Sequence, residues 1–289
     1  MKDRSEEGVA LIAVLWTLTL LSIIAAALSL EMRSSTGIAR NMAENATARA
    51  AADAGIQRVV LDLVNTPGTP PNARGFHADG TVYAWRFANS TVHISVQDEA
   101  SKIDLNQAPE ALLAVLFESV GIDPDKAQSL ADAIADFRDA DNLTRPRGAE
   151  EAEYRSAGLA RGPKNAPFQM TEELQQVLGM TAEIYGRVAA SLTTYYIADT
   201  INPTMPDERL TRLLRRAGSN LQYFASSPGF VFSIRSEAKS SKGAVFVREA
   251  VVQLPREGPQ IQVLSWRQGT ANSGKAPLSA GLALAMSQR

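Results

Sequence analysis

The chain has 289 residues, a formal net charge of −2 and no cysteine, with 45% hydrophobic and 21% charged residues. That length supports one or two domains with a real core, and the near-neutral balance exerts no global pull on nucleic acid or anionic lipid. The lack of thiols removes Cys nucleophiles, zinc ribbons and disulfides and suits an oxidising compartment, while two histidines leave little material for His-centred catalysis.

From Gly8 to Leu30 there is no charged residue. A helix of that length reaches about 35 Å, enough to cross a hydrocarbon core of about 30 Å. A secretory signal usually has an apolar stretch of about 7–15 residues after a basic start. Here the run is longer and its start, MKDRSEE, mixes both signs, although Ala25, Ala26 and Ala27 offer a small-residue cleavage site. Lys2 and Arg4 compete with Arg33 and Arg40, so charge does not orient the segment.

The opening EEGVALIAVLWTLTLLS resembles the leader of type IV pilins and pseudopilins. The resemblance implies that a prepilin peptidase cuts between Gly8 and Val9, that Val9 is then N-methylated, and that the apolar helix is kept. Most members carry Glu at the fifth mature position, where this chain has Ala13. A carboxylate inside the bilayer needs a partner, and a subunit with no neighbour above it needs none. The missing Glu resembles the K-type minor pseudopilin of type II secretion, placed at the filament tip.

The helix is expected to continue without Pro until Pro67, and Ala39, Ala43, Ala46, Ala50 and Ala54 form a narrow small-residue stripe. Such stripes let helices approach closely; the same stripe also suits a helix lying on its own domain. NTPGTPPNARG then reads as a linker. TVYAWRF and TVHISVQ, joined by ANS, read as a hairpin. Further on, FVFSIRSEA, GAVFVREAVVQL and IQVLSWRQG read as three more strands, and the last about 20 residues as a mobile tail. Between the strand groups, PEALLAVLFESVG, DPDKAQSLADAIADFRDA, TEELQQVLG and TAEIYGRVAASLTTYY each read as a short helix, with Pro109 and Thr171 at expected helix starts. KIDLNQAPEALLAVL before this region echoes TINPTMPDERLTRLL after it.

DEASKIDLNQAPEALLAVL, DFRDADNLTRPRGAEEAEY, PFQMTEELQQVLGM and VLSWRQG resemble K-type pseudopilin segments in the same order. On these and the leader, the chain is identified as a member of the general secretion pathway protein K family. The implied fold is α+β: a pilin-like long N-terminal transmembrane helix and antiparallel sheet, interrupted by a large all-helical insert. The expected organisation is a cleaved leader at 1–8 and a long helix at 9–64, with its membrane part at 9–30. A pilin-like domain follows from 76–97 and 199–268, with the insert at 98–198 and a flexible tail at 269–289. The implied role is a non-enzymatic subunit of the inner membrane, single-pass with its globular part in the periplasm. Its implied partners are the I-type and J-type minor pseudopilins and the major pseudopilin filament.

Carboxylates concentrate in DFRDADNLTRPRGAEEAEY: Asp139 and Asp141 two apart, then Glu150, Glu151 and Glu153. Hard oxygen donors at such spacing suit calcium, although the remaining positions do not match an EF-hand loop. A solvated acidic loop tied by Arg138, Arg145 and Arg147 fits the same residues. The family resemblance implies a structural Ca²⁺ in this insert, with Asp139, Asp141, Glu153 and Glu150 as candidate ligands. GTANSGKA approaches a phosphate loop, but Ala276 replaces the Mg²⁺-binding hydroxyl and Pro277 breaks the helix that should follow. His77 and His93 have no G-x-S-x-G partner. The alternative from another class is a membrane-anchored helix-hairpin-helix DNA-uptake protein. Its hairpin would be FESVGIDPDKAQ, where Glu118, Asp123 and Asp125 repel phosphate, so no nucleic-acid partner is expected.

Overall fold

The computed structural model describes residues 4–65, 75–195, 230–255 and 260–271. Most of the expected linker, the second half of the internal echo and nearly all of the tail lie outside them.

Helix α1 runs over Arg4–Asn65 and includes Gly8 and Val9 in its backbone. Within it, Ile12–Ser29 has the length and hydropathy of one membrane crossing and is not buried at all. Higher up, Ala48, Ala51, Ala52, Ile56, Val59 and Leu63 recur every three or four residues and are buried, which is the stripe that packs an amphipathic helix on a sheet. The small stripe expected from sequence points elsewhere: Ala39, Ala43, Ala46 and Ala50 are exposed, so that face is not covered by the chain's own sheet.

The sheet has β1 (Asp79–Phe87), β2 (Ser90–Asp98), β5 (Val231–Ser240), β6 (Val245–Gln253) and β7 (Gln262–Gln268), in that order. Every neighbouring pair is antiparallel. The hairpin and the three later strands stand where the sequence placed them. Val92, Ile94 and Val96 of β2 and Phe232, Ile234 and Ala238 of β5 form the face that meets α1. Gly55 lets the helix come close: a Cβ there would lie 2.2 Å from Ser236 Oγ. Arg248 of β6 clamps the helix through Asp53 at 2.6 Å, and Lys242 of the β5–β6 turn reaches Glu44 lower on α1 at 2.9 Å.

Between β2 and β5 the chain leaves the sheet. Asp98 and Phe232 are paired neighbours at the end of that strand pair, opposite the turn that meets Glu44. The excursion contains α2 (Glu110–Ser119), α3 (Pro124–Arg138), α4 (Glu151–Ser156) and α5 (Ala182–Val188), with its own buried cluster around Leu112, Phe117, Ile134, Phe137 and Tyr154. Three details differ from the sequence reading. TEELQQ forms a 3₁₀ helix. EAEYRS, read as acidic loop, is helical. The last predicted helix stops at Val188, and the insert holds two short strands, β3 (Ile103–Asp104) and β4 (Leu192–Thr193), paired in parallel. Two-residue strands carry too little pattern to be seen locally, and their partner lies 89 residues away.

Candidate functional site

Asp132 and Asp136 of α3 lie i, i+4 on one face, and Asp139 caps the C-terminal end of the helix. The segment RPRGA folds back along that face. Arg145 donates through NH1 to Asp136 Oδ1 at 2.7 Å and Asp139 Oδ2 at 2.5 Å, and through Nε to Glu110 Oε1 at 3.1 Å. The backbone amides of Arg145 and Ala149 donate to Asp136 Oδ2 at 3.2 and 2.8 Å, and that of Arg147 to Asp132 Oδ2 at 3.2 Å. Asp136 is fully buried. Burial works against the Arg145 charge, but the hydrogen bonds to Asp136 and Asp139 more than offset it and hold the guanidinium above its ordinary pKa. Gly148 is required here, because a Cβ would stand 1.9 Å from Asp136 Oδ2.

Of the predicted acids, only Asp139 is bonded into this knot. Asp139 keeps Oδ1 buried without a partner, and the buried Glu150 carboxylate makes no full hydrogen bond, with only the Glu153 amide of the α4 capping box beside it. Glu150 is only 4% exposed. Burial first, then the charges of Asp136, Asp139, Asp141 and Glu153, push its carboxyl above the usual range. Asp141 is exposed and accepts from the Leu143 amide at 2.8 Å. Glu153 uses one oxygen to accept the Glu150 amide at 2.9 Å, capping α4. Two residues were missed from sequence. Asp136 organises the loop, and Asn165, in a loop without acids, holds a buried and unpartnered Oδ1.

Among the described residues, no three Asp, Glu or His side chains already stand as a closed metal group. The donors instead include oxygens left unmatched, from two carboxylates and an amide. Ionised carboxylates accept and cannot donate, and a buried unpaired charge is costly. A hard cation suits such oxygens chemically, but the described acids are not drawn together into a group of three around one point.

A second polar cluster joins insert to sheet. Glu99, buried, accepts from Lys102 Nζ and Thr193 Oγ1, both at 2.5 Å, and Lys102 also reaches Ser233 on β5 at 3.2 Å. Arg138 donates to the carbonyls of Leu105 and Ala108. Asp104 accepts from the amides of Asn106 and Gln107. Burial pushes its carboxyl up to about 6, against the pull of those amides and of Arg138. A raised folded-state pKa stabilises below the unfolded value and is lost as pH rises. Wild-type stability should therefore fall relative to D104N between pH ~4 and ~6, by at most ~3 kcal/mol at ~1.4 kcal/mol per unit. Parallel denaturation curves at the two pH values would count against it.

The helix-hairpin-helix alternative fares poorly. Where α2 turns into α3, Asp123 accepts the Asp125 amide at 3.0 Å and Asp125 pairs with Arg147 at 2.9 Å, so acids fill the place a phosphate would take. His93 is exposed on β2, and the His77 backbone amide donates to Tyr83 OH at 2.9 Å.

Residues 91–196 match the family model described as type II secretion system (T2SS), protein K. A putative type II secretion system protein K of Escherichia coli (strain K12) is 34% identical over 80 residues, covering 28% of this chain and 24% of that protein. Type II secretion system protein K of Pectobacterium carotovorum subsp. carotovorum is 25% identical over 65% of this chain and 62% of its own length. That of Klebsiella pneumoniae is 27% identical over 71% and 68%. The chain thus spans less than two thirds of the first two of these relatives. A chain from the crystal structure of the GspK-GspI-GspJ complex of the enterotoxigenic Escherichia coli type 2 secretion system shares the fold. It has a TM-score of 0.61 and 16% identity, over 83% of this chain and 100% of that one. The α+β fold, the apolar N-terminal helix and a family model spanning β2 and the insert agree: the chain is similar to type II secretion system protein K over its insert and much of its length.

Proposed function

We propose that this protein is a minor pseudopilin of type II secretion, sits at the tip of the periplasmic pseudopilus and initiates or limits its assembly, as a structural subunit and not an enzyme. The observation that carries this reading is where the insert hangs. It leaves the sheet at the Asp98–Phe232 end of β2 and β5, about 27 Å of strand away from the turn that meets α1 at Glu44. The membrane crossing lies below Glu44, so the insert occupies the far end of the head, where a further subunit would stack. The exposed Ala39–Ala50 face supports the other half: it is free for the helices of neighbours. The solved relative was crystallised with GspI and GspJ, and by analogy the I-type and J-type minor pseudopilins are the proposed partners here. The helix is anchored in the inner membrane after a prepilin peptidase cuts between Gly8 and Val9 and Val9 is methylated. Asp139, Asp141, Glu153 and Glu150 would be the residues to hold a structural Ca²⁺, which would neutralise their clustered charge.

The test removes residues 99–230, the insert and the stretch after it, and joins Asp98 to Val231 with a short turn. Expressed with the remaining pseudopilins, this variant should enter the membrane normally and yield longer filaments by electron microscopy. Unchanged filament length sinks the capping role. The intact chain from the same cells should begin at Val9 with one added methyl; a start at Met1 would remove the processing step.

A further inference from the structure

The insert and the sheet bury separate apolar clusters, one including Phe117 and Phe137 and the other Ile94 and Phe232. What lies between them is polar. On the sheet face opposite α1, Ser95, Arg235, Glu249 and Arg267 stand in one row across β2, β5, β6 and β7. The insert overhangs that row with Met170, Tyr185 and Tyr195, and a cleft of about 440 Å³ lies between the two.

At one end of the cleft the chain itself crosses. Ile103 and Asp104 on the way out pair with Leu192 and Thr193 on the way back. Glu99, its side chain 2% exposed, accepts from Lys102 and Thr193, while Lys102 also reaches Ser233 of β5. Breaking this contact would leave a charge with little water around it, which is costly.

Away from that crossing the contact is of another kind. Arg267 of β7 donates through Nε to Glu249 Oε2 and through NH1 to Glu172 Oε1 of the insert's 3₁₀ helix, both at 3.0 Å. Glu249 in turn accepts from Arg235 at 2.6 Å, and Arg235 donates to Glu237 at 3.1 Å and to the Thr270 carbonyl at 2.7 Å. In this line of alternating charges only Glu172 belongs to the insert, so the sheet holds the Arg267 guanidinium in place from its own side. Separation from Glu172 leaves no charge stranded. Arg267 keeps Glu249, and Glu172 passes into water; the two side chains are already 58% and 43% exposed. Exposed pairs of this kind are weak and are screened by salt.

We propose that the insert is a hinged body, turning about the crossing at Glu99–Asp104 and Leu192–Thr193, and that the Glu172–Arg267 pair is the latch that holds it over the sheet. With the latch made, the sheet sets the tilt of the insert. With it broken, the cleft widens while both apolar clusters stay covered. The latch stands whether or not the insert blocks a further subunit.

The chain has no cysteine, so T91C on β2 and S156C on α4, at two exposed positions, give two unique sites for spin labels. The distance between the labels is read by double electron–electron resonance on the full chain in detergent, at about 50 mM and about 1 M salt, where the screening length falls to about 3 Å. The labelled parent should show one main distance at low salt and a second that gains population at high salt. E172Q keeps the shape of the side chain and removes its charge. It should show the second distance already at low salt, with the open-to-closed ratio raised about fivefold, and should no longer respond to salt. E172R, which repels Arg267, should open further. A single distance shared by the parent and both variants at both salts overturns the hinge. Two distances whose populations are the same in the parent and E172Q overturn the latch. Matching circular dichroism of E172Q and the parent excludes unfolding as the cause.

Discussion

Asp136→Ala is expected to cost the protein ~3 kcal/mol or more of stability, and to do so by unfastening the RPRG loop from α3. The carboxylate is fully buried and takes one guanidinium and two backbone amides. Removing it strands the amides of Arg145 and Ala149 at ~1–3 kcal/mol for a buried unsatisfied group, and leaves Arg145 beside a void; breaking a buried pair costs ~3–5 kcal/mol. Arg145 is partly exposed and retains Asp139 and Glu110, so the lower end of that range applies. D136N keeps an acceptor and should lose less. Denaturant unfolding of the full chain gives the cost, and hydrogen exchange should show new opening at residues 145–149. A loss below ~1 kcal/mol would mean that the loop is held by something other than this carboxylate.

The second large effect concerns the other half of the molecule. Gly55→Ala puts a methyl within 2.2 Å of Ser236 Oγ and 3.1 Å of Val92 Cγ1, so α1 must lift from β5. Overpacking of this kind costs ~1–3 kcal/mol. Ser236 Oγ has no partner, so S236A alone should be neutral or mildly stabilising. Combined, S236A should recover much of the G55A loss, because it removes the nearest clashing atom. The double-mutant cycle is therefore predicted to show a coupling of ~1 kcal/mol or more between these positions. Additive effects would refute the close approach of helix and strand.

Composition and residue type carried most of the fold. The uncharged run from Gly8 to Leu30 reports a membrane-length helix, the β-branched and aromatic content of TVHISVQ and FVFSIRSEA reports strands, and the Leu-rich segment after Pro109 reports a buried helix. The β3–β4 bridge was invisible because two residues cannot alternate and their pairing is set by the packing of α2 to α5 around them. At the site, D-x-D followed by E-E-x-E showed where carboxylates concentrate, but spacing alone did not show which of their oxygens are buried without a partner. Asp136 was passed over because in sequence it belongs to the helix and not to the loop it fastens. Asn165 was passed over because it is neutral and 24 residues from Asp141. Its one local signal is an Asn in the breaker-rich GPKNAP, a residue type that accepts left-handed backbone.

The pairing of Asp98 with Phe232 also bears on how the molecule reaches this state. Their strands are neighbours in the sheet, yet 133 residues separate them. Closing such a loop in an unfolded chain costs about 3 kcal/mol more than closing a four-residue turn. The bridge between Ile103 and Leu192 gathers most of that length into a body with its own buried cluster. Once it has folded, a few residues on one side and the stretch 194–230 on the other are all that remain to be spanned. In a chain without a cysteine, the insert is thus a noncovalent staple, drawing the two central strands together as a disulfide would. Folding from the insert inward would then let the part proposed to block the next subunit also prepare the sheet on which its own helix docks.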